Sequence, residues 1–530
     1  MLDNIADLLL TVSLMAGVFG FPTHVALRYM VPGTAIGVLV GDLLFFWMAL
    51  RLMARTGRTT VTAMPLGLDT PSTFGMVFFV LGPAFVAQKQ ALGVSANAGP
   101  DDPLLLQAAL GTWHIGIGAI FVSGLFKLAC AFGSNWIRRV VPRAGLLGSL
   151  AGISLVLISF LPFLEVLHYP MVGLLATAIL LTTLVARIPF PGRLPGALAS
   201  LLVAGSLHYL LVGVGWIEFD VAALTSARAG LLPFEWVSVF RFEWVASLPA
   251  TLPYLPLVIP FALGTVVGGI DCTESASAAG DDFDTGQVIG VEAIATLVAA
   301  LCGGVIQTTP YIGHPAYKAM GGRAAYTLAT ALFVGGAGVL GYFGYLYAFI
   351  PKSTVFPILV FIGLEITAQS FRATPTRHYA AVALACVPAL AALGLLYADK
   401  FLGELAAAGI SIDRLAPSLR HEVETTRILA NGFIVTSLLW ASALAALIDR
   451  RFLLAANYFG VAGLLSCFGV IHSPLPGAAL FLPWTLDATL RHVPLGYGTG
   501  YFLVGLGLSA WFGWLQFRKA LPEPYREDHG

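Results

Sequence analysis

The sequence predicts an all-α polytopic membrane protein built from two seven-helix halves in inverted orientation. Helices 3 and 10 carry short extended breaks, and about two extra helices close the chain. Three observations predict this: a composition too apolar for water, a long series of apolar segments, and two matched proline–glycine interruptions.

Of the 530 residues, 58% are hydrophobic and 11% charged. The mean hydropathy is +0.86. A soluble domain is roughly a quarter charged, so a bilayer must be the main solvent. The formal net charge is zero, which leaves no basic field for nucleic acid. Cys130, Cys272, Cys302, Cys386 and Cys467 lie in apolar stretches at irregular spacing. They read as packing thiols, without a disulfide framework or a metal pattern. The N-terminus lacks a basic region and a small-residue cleavage site, so the first apolar stretch is expected to remain as a helix.

A span needs about 20 apolar residues. Candidates fall near 7–29, 34–54, 71–88, 104–130, 144–163, 170–187, 195–216, 251–275, 287–303, 311–320, 325–349, 354–371, 378–397, 430–448, 452–471 and 497–517. The tenth is too short to cross alone. With strict alternation, most lysines and arginines fall on the starting side, among them Arg51, Arg55, Arg58, Lys127, Arg138, Arg139, Arg323, Arg372, Arg377, Arg450 and Arg451. The positive-inside rule then places both termini in the cytoplasm, and the expected location is the bacterial inner membrane. The remaining basic residues sit mostly in the long connections 217–250 and 398–429. Trp113, Trp136, Trp216, Trp236, Trp244, Trp484, Trp511 and Trp514 lie near span ends, as an interfacial belt requires.

Two segments are not plain helix. One is Ala63-Met64-Pro65-Leu66-Gly67-Leu68-Asp69-Thr70-Pro71-Ser72-Thr73-Phe74. The other is Gln307-Thr308-Thr309-Pro310-Tyr311-Ile312-Gly313-His314-Pro315-Ala316-Tyr317. Proline removes a backbone donor, and lipid cannot satisfy bare backbone groups. Such segments must be buried in protein or line a polar cavity. One falls at the third span and the other at the tenth, which are corresponding positions of two seven-span halves in opposite orientation. Broken helices so placed point to a transporter site. The expected division is a first repeat over 1–216, a periplasmic connection over 217–250, a second repeat over 251–450 and a C-terminal addition over 451–530.

Ionisable residues within spans are functional candidates because burying them is costly. Asp271 and Glu274 share a face of the eighth span. Two close carboxylates resist double ionisation, which suits a proton carrier or a partner for an N–H-bearing solute. Asp69 either faces the cavity or caps the helix that starts near Pro71. His314 is equally open between a site and a structural role. Asp42, Glu292 and Glu365 are expected in helix–helix hydrogen bonds, with a place in a proton path as the alternative. Asp281, Asp282 and Asp284 read as a solvated loop.

The stretch from Ala300-Leu301-Cys302-Gly303-Gly304 through Gln307-Thr308-Thr309-Pro310-Tyr311 to Gly321-Gly322-Arg323 resembles the nucleobase–cation symporter family. It is closest to the purine permease branch of that xanthine/uracil permease type. The resemblance implies a fourteen-helix inverted repeat with core and gate domains, no cofactor, and a homodimer. It implies proton-coupled symport of a purine or pyrimidine base, or coupling to sodium. Asp271 matches the eighth-helix carboxylate, and Thr308, Thr309 and Tyr311 match the tenth-helix binding strand. Asp69, Thr70, Ser72 and Phe74 fall on the third-helix strand, where Phe74 is placed to stack on a planar ring. The family's tenth-helix glutamate falls on Gly313, with His314 next to it. An inverted-repeat carrier of an anion or organic acid is the alternative. A membrane-embedded enzyme is a remote one, because HExxH, GxSxG and metal-spaced His/Cys patterns are missing. No Walker-type motif points to ATP-driven transport.

Overall fold

In the computed structural model, residues 2–95, 98–140, 143–219, 221, 224–225, 227, 230–311, 313–319, 321–407, 414–475 and 480–519 are described. The side chains of Trp136, Arg138 and Arg139 lie outside this description.

The helices follow the apolar segments in order. They are α1 (Leu2–Phe19), α2 (Thr23–Thr56), α3 (Thr70–Leu92), α4 (Pro103–Val140), α5 (Leu147–His168), α6 (Pro170–Val185) and α7 (Gly196–Gly213). Then come α8 (Leu255–Ala278), α9 (Thr285–Leu301), α10 (His314–Ala319), α11 (Ala325–Val339 with Phe343–Phe349), α12 (Lys352–Arg372) and α13 (Thr376–Gly403). The series closes with α14 (Pro417–Ala430 with Phe433–Ile448), α15 (Phe452–Cys467) and α16 (His492–Phe517). Among the described residues, 8 helices are long and apolar enough to cross a membrane, or up to 10 if each bent pair is one span. The chain is an integral membrane protein with an all-α polytopic fold.

Prolines mislead the placement of boundaries. The first break lies at Gly20-Phe21-Pro22, with Gly20 at φ +67°, and not near residue 30 as the apolar run suggests. Helix α2 passes through Pro32 because a π-helical stretch over Ala26–Met30 immediately precedes it. The same device precedes Pro83 (Val77–Leu81) and Pro162 (Ser154–Ser159). A π turn widens the hydrogen-bond ladder where the missing proline N–H would otherwise interrupt it. The connection 398–429 also holds more helix than expected: α13 continues beyond 397, and the first half of α14 is a charged helix bent 74° from the second.

By packing, the chain forms two compact units. One comprises Met1–Arg139 with Phe160–Ile362, and the other Val140–Ser159 with Gly363–Gly530. Each therefore draws on both halves of the sequence.

The first unit contains two short strands, β1 (Leu66–Leu68) and β2 (Thr308–Pro310), paired antiparallel with Gly67 opposite Thr309. Each lies at a proline–glycine interruption, and each leads into a helix, α3 or α10. Antiparallel pairing makes the two strand–helix units run in opposite directions, which is the arrangement of an inverted repeat. The pairing also has a direct cause. Each break bares backbone groups in an apolar interior, and each strand supplies the partners the other lacks. The ladder extends past the strands: Tyr311 N–H donates to the Pro65 carbonyl (2.9 Å), and Asp69 N–H donates to the Gln307 carbonyl (3.1 Å).

Candidate functional site

A two-stranded ribbon still has edges, and four side chains close them. Leu68 N–H donates to Asn4 Oδ1 on α1 (2.8 Å). The Leu68 carbonyl accepts from the Tyr311 hydroxyl (2.9 Å). Thr308 N–H donates to Thr296 Oγ1 on α9 (3.3 Å). The Thr308 carbonyl accepts from Lys127 Nζ on α4 (2.9 Å). The ribbon is thus buried without bare backbone groups on Leu68 or Thr308, as the cost of an unpaired buried amide demands.

Lys127 is the correction with the largest consequence. As a loop charge it would be wet. It is fully buried on α4, with Nζ 2.8 Å from Glu292 Oε1 on α9, which is also fully buried. Glu292 therefore does link two helices, as an ion pair with a lysine that the apolar run around it concealed. The Thr308 carbonyl is a further partner for Lys127, while the Glu292 carboxylate has no hydrogen-bond donor among the described residues beyond this ion pair.

The third-helix candidates converge at the start of α3. Asp69 Oδ2 accepts from Ser72 N–H (2.8 Å) and so caps the helix. This is the cap reading of Asp69, and the residue is buried at the ribbon's end as well. Thr70 Oγ1 donates to Asp7 Oδ2 on α1 (3.0 Å). Ser72 lines a small cavity of about 10 Å³ with Gly75, Ser123, Phe261 and Gln307, room for about one water. Ser123 Oγ donates to Gln307 Oε1 at its edge (2.6 Å). Phe74 is fully buried, with its ring stacked on Phe78 at 6.2 Å.

Of the tenth-helix candidates, Thr308 and His314 are buried and already engaged. The Thr308 hydroxyl lies 3.2 Å from Thr296 Oγ1. Thr309 sits opposite Gly67, where a Cβ would collide with the Tyr311 ring. His314 is fully buried, and its Nε2–H donates to the Thr62 carbonyl (3.1 Å). The imidazole also lies 3.4 Å from Asp281 Oδ2. Its described partners are thus in the segment before β1 and the loop after α8.

That loop corrects a second reading. Asp281 is fully buried, not solvated. It accepts from Thr62 N–H (3.0 Å) and lies 2.7 Å from Lys318 Nζ and 3.5 Å from the Arg58 guanidinium. Asp284 caps α9 through Gln287 N–H (2.8 Å). Among the tryptophans, Trp113 and Trp244 are buried in protein; Trp113 donates to the Gly303 carbonyl (2.7 Å). Among the described residues, Glu365 meets Arg372 and Gln369 on its own helix, each at 3.3 Å, and not a neighbouring helix.

Asp271 and Glu274 are half-buried on α8. Cys272, between them, donates through Sγ to the Pro310 carbonyl (3.4 Å), which seats this turn of α8 against the end of β2. The neighbouring face of α8 packs on the start of α3, where Gly75 admits the Phe261 ring. The structure therefore gathers Asp69, Thr70, Ser72, Thr308, Thr309 and Tyr311 around one ribbon, with Asp271 on the turn of α8 whose Cys272 meets it, whereas His314 turns toward Thr62 and Asp281. Asn4, Asp7, Lys127 and Gln307 belong with the ribbon and were not singled out from sequence. Asn4 and Asp7 share a face of an apolar helix, which was the available signal.

No family model matches the sequence, and no curated protein does either. Among solved structures, the chain is similar to the transmembrane domain of a cyanobacterium bicarbonate transporter BicA, at 14% identity and a TM-score of 0.41, over 83% of this chain and 97% of that one. It is also similar to the overall structure of SLC26A9, at 11% identity and a TM-score of 0.40, over 85% of this chain and 64% of that one. Likenesses this distant carry no argument about substrate.

Proposed function

We propose that the chain is a secondary transporter that moves a small solute across the membrane by alternating access, with its site at the paired breaks. The observation that carries this is the antiparallel β1–β2 ribbon, an extended element held among apolar helices by Asn4, Lys127, Thr296 and Tyr311. Non-helical backbone at membrane depth is tolerated where it is buried in protein or lines a polar cavity, and matched broken helices in two inverted halves mark transporter sites. The proposed repeats are 1–216 and 251–450, with 451–530 added and both termini cytoplasmic.

The acidic surroundings favour a neutral, N–H-bearing ring such as a nucleobase, carried with a proton. Asp69 already occupies the end of α3 where a free anion would otherwise bind. Asp271 is the proposed contact for the solute N–H groups and for the proton, with Glu274 beside it. A second reading, an anion or organic acid, is favoured by the buried ammonium of Lys127 close to the same helix end. Its charge is balanced by Glu292, which weakens that reading.

Uptake into proteoliposomes separates the two. Labelled guanine, xanthine or uracil should accumulate and lose accumulation with a protonophore. Accumulation of bicarbonate or a dicarboxylate, with none of the bases, would establish the anion reading instead. Asp271→Asn should abolish proton-driven accumulation; unchanged transport with unchanged pH dependence would remove Asp271 from the mechanism.

A further inference from the structure

A cavity lies within the second compact unit. It measures about 780 Å³ and is walled by α13, α14, α15 and α16. Cavities of this size hold drug-sized or acyl-chain ligands. Its walls are mostly hydrocarbon and aromatic, including Leu384, Leu444, Leu447, Phe459 and Val504.

Two features show that the space is built. Gly496 and Gly500 stand one turn apart on α16 and face it. A Cβ at either would meet nothing within 4 Å, so no neighbouring side chain fills the gap. Two polar groups of the wall, Trp440 and Tyr501, are paired within the protein. Trp440 Nε1–H donates to the Tyr501 oxygen (2.7 Å), and the Tyr501 hydroxyl donates to His472 Nε2 (2.8 Å). His472 Nδ1–H donates to the Ile428 carbonyl (3.2 Å). Burial pushes the His472 pKa down to about 4, so the ring is neutral and this chain of bonds holds. A wall so rich in hydrocarbon and aromatic surface suits an apolar chain.

The rim differs. His421 and Thr425 come from the Pro417–Ala430 helix, which carries Arg420, Glu422, Glu424 and Arg427. A charged helix of this kind lies at the membrane surface. His492 lies at the same cavity from the first turn of α16. Imidazole and hydroxyl groups can donate to phosphate oxygens.

We propose that this cavity is a phospholipid site, with an acyl chain between α13 and α16 and the phosphate at His421, Thr425 and His492. The wall polarity selects the chain and the rim selects the headgroup. The inference is independent of which solute is transported.

Native mass spectrometry of the full chain in mild detergent tests it. The wild type should retain bound phospholipid, and Gly496→Leu/Gly500→Leu should lose it while staying folded. His421→Ala/His492→Ala should retain less. A phosphatidylglycerol with a photoactivatable acyl chain, added to wild-type proteoliposomes, should label peptides from α13 or α16. An unchanged lipid complement in the filled variant would overturn the proposal. So would labelling confined to other helices, or a changed oligomeric state with lipid retention unchanged. The labelling arm uses the wild type, so a folding defect in the variants leaves the test intact.

Discussion

The two broken segments occupy matched places in the fold, yet they are held by different chemistry. At the first, the chain turns from β1 into a long helix, and Asp69 caps that helix from within the same segment. At the second, β2 leads into a six-residue helix, His314–Ala319, and the support includes ion pairs. Lys127 and Glu292 hold the strand from α4 and α9. Asp281 gathers Thr62, Lys318 and Arg58 beside α10. A long helix can absorb a break with a cap and single hydrogen bonds from Asn4 and Asp7 on α1, because its remaining backbone groups are paired internally. A single turn and a half cannot, so charges from neighbouring elements take over. Matched punctuation in two repeats therefore does not imply matched chemistry.

This contrast can be broken by comparing variants at the two junctions. Lys127→Met should have the largest effect, about 3–5 kcal/mol of stability, because it strands the Glu292 carboxylate in the interior. Thermal unfolding in detergent should show the loss, and adding Glu292→Gln should restore part of it. Equal and additive losses would mean the pair is not coupled. Asp281→Ala should follow at about 2 kcal/mol, by leaving the Thr62 amide and the Lys318 ammonium short of an acceptor. Increased protease sensitivity at α10 would report it locally. Gly67→Ala should cost about 1–3 kcal/mol, by forcing the Tyr311 ring off the ribbon. A shift in Tyr311 accessibility, with no change at Asp281, would sharpen the contrast. Asp69→Ala should be the smallest, about 1 kcal/mol for a lost cap, with Asp69→Asn smaller still. A loss at Asp69 exceeding that at Lys127 would invert the comparison.

Reading the sequence located both breaks, because proline and glycine act on the backbone locally and leave a signal wherever the chain goes. It misplaced charges for the opposite reason. Lys127 sits in an ordinary apolar run, and its partner Glu292 is far away in sequence, so nothing local distinguishes a buried ammonium from a loop one. Asp281 looked wet because it stands among other aspartates, while the groups that bury it come from segments near 58–62 and 318. Asp69 is the intermediate case. Its cap to Ser72 is local and was one of two readings open in advance, and only the fold chose between them.

The sequence by itself determined the solvent, the order of the helices and the two points where they break, since hydropathy and proline chemistry are properties of short stretches. Only the tertiary structure decided that the breaks pair with each other, that Lys127 and Glu292 seat the pair, and that His314 turns away toward Thr62. Those outcomes follow from long-range satisfaction of buried polar groups, which depends on what each group meets across the fold and not on its neighbours along the chain.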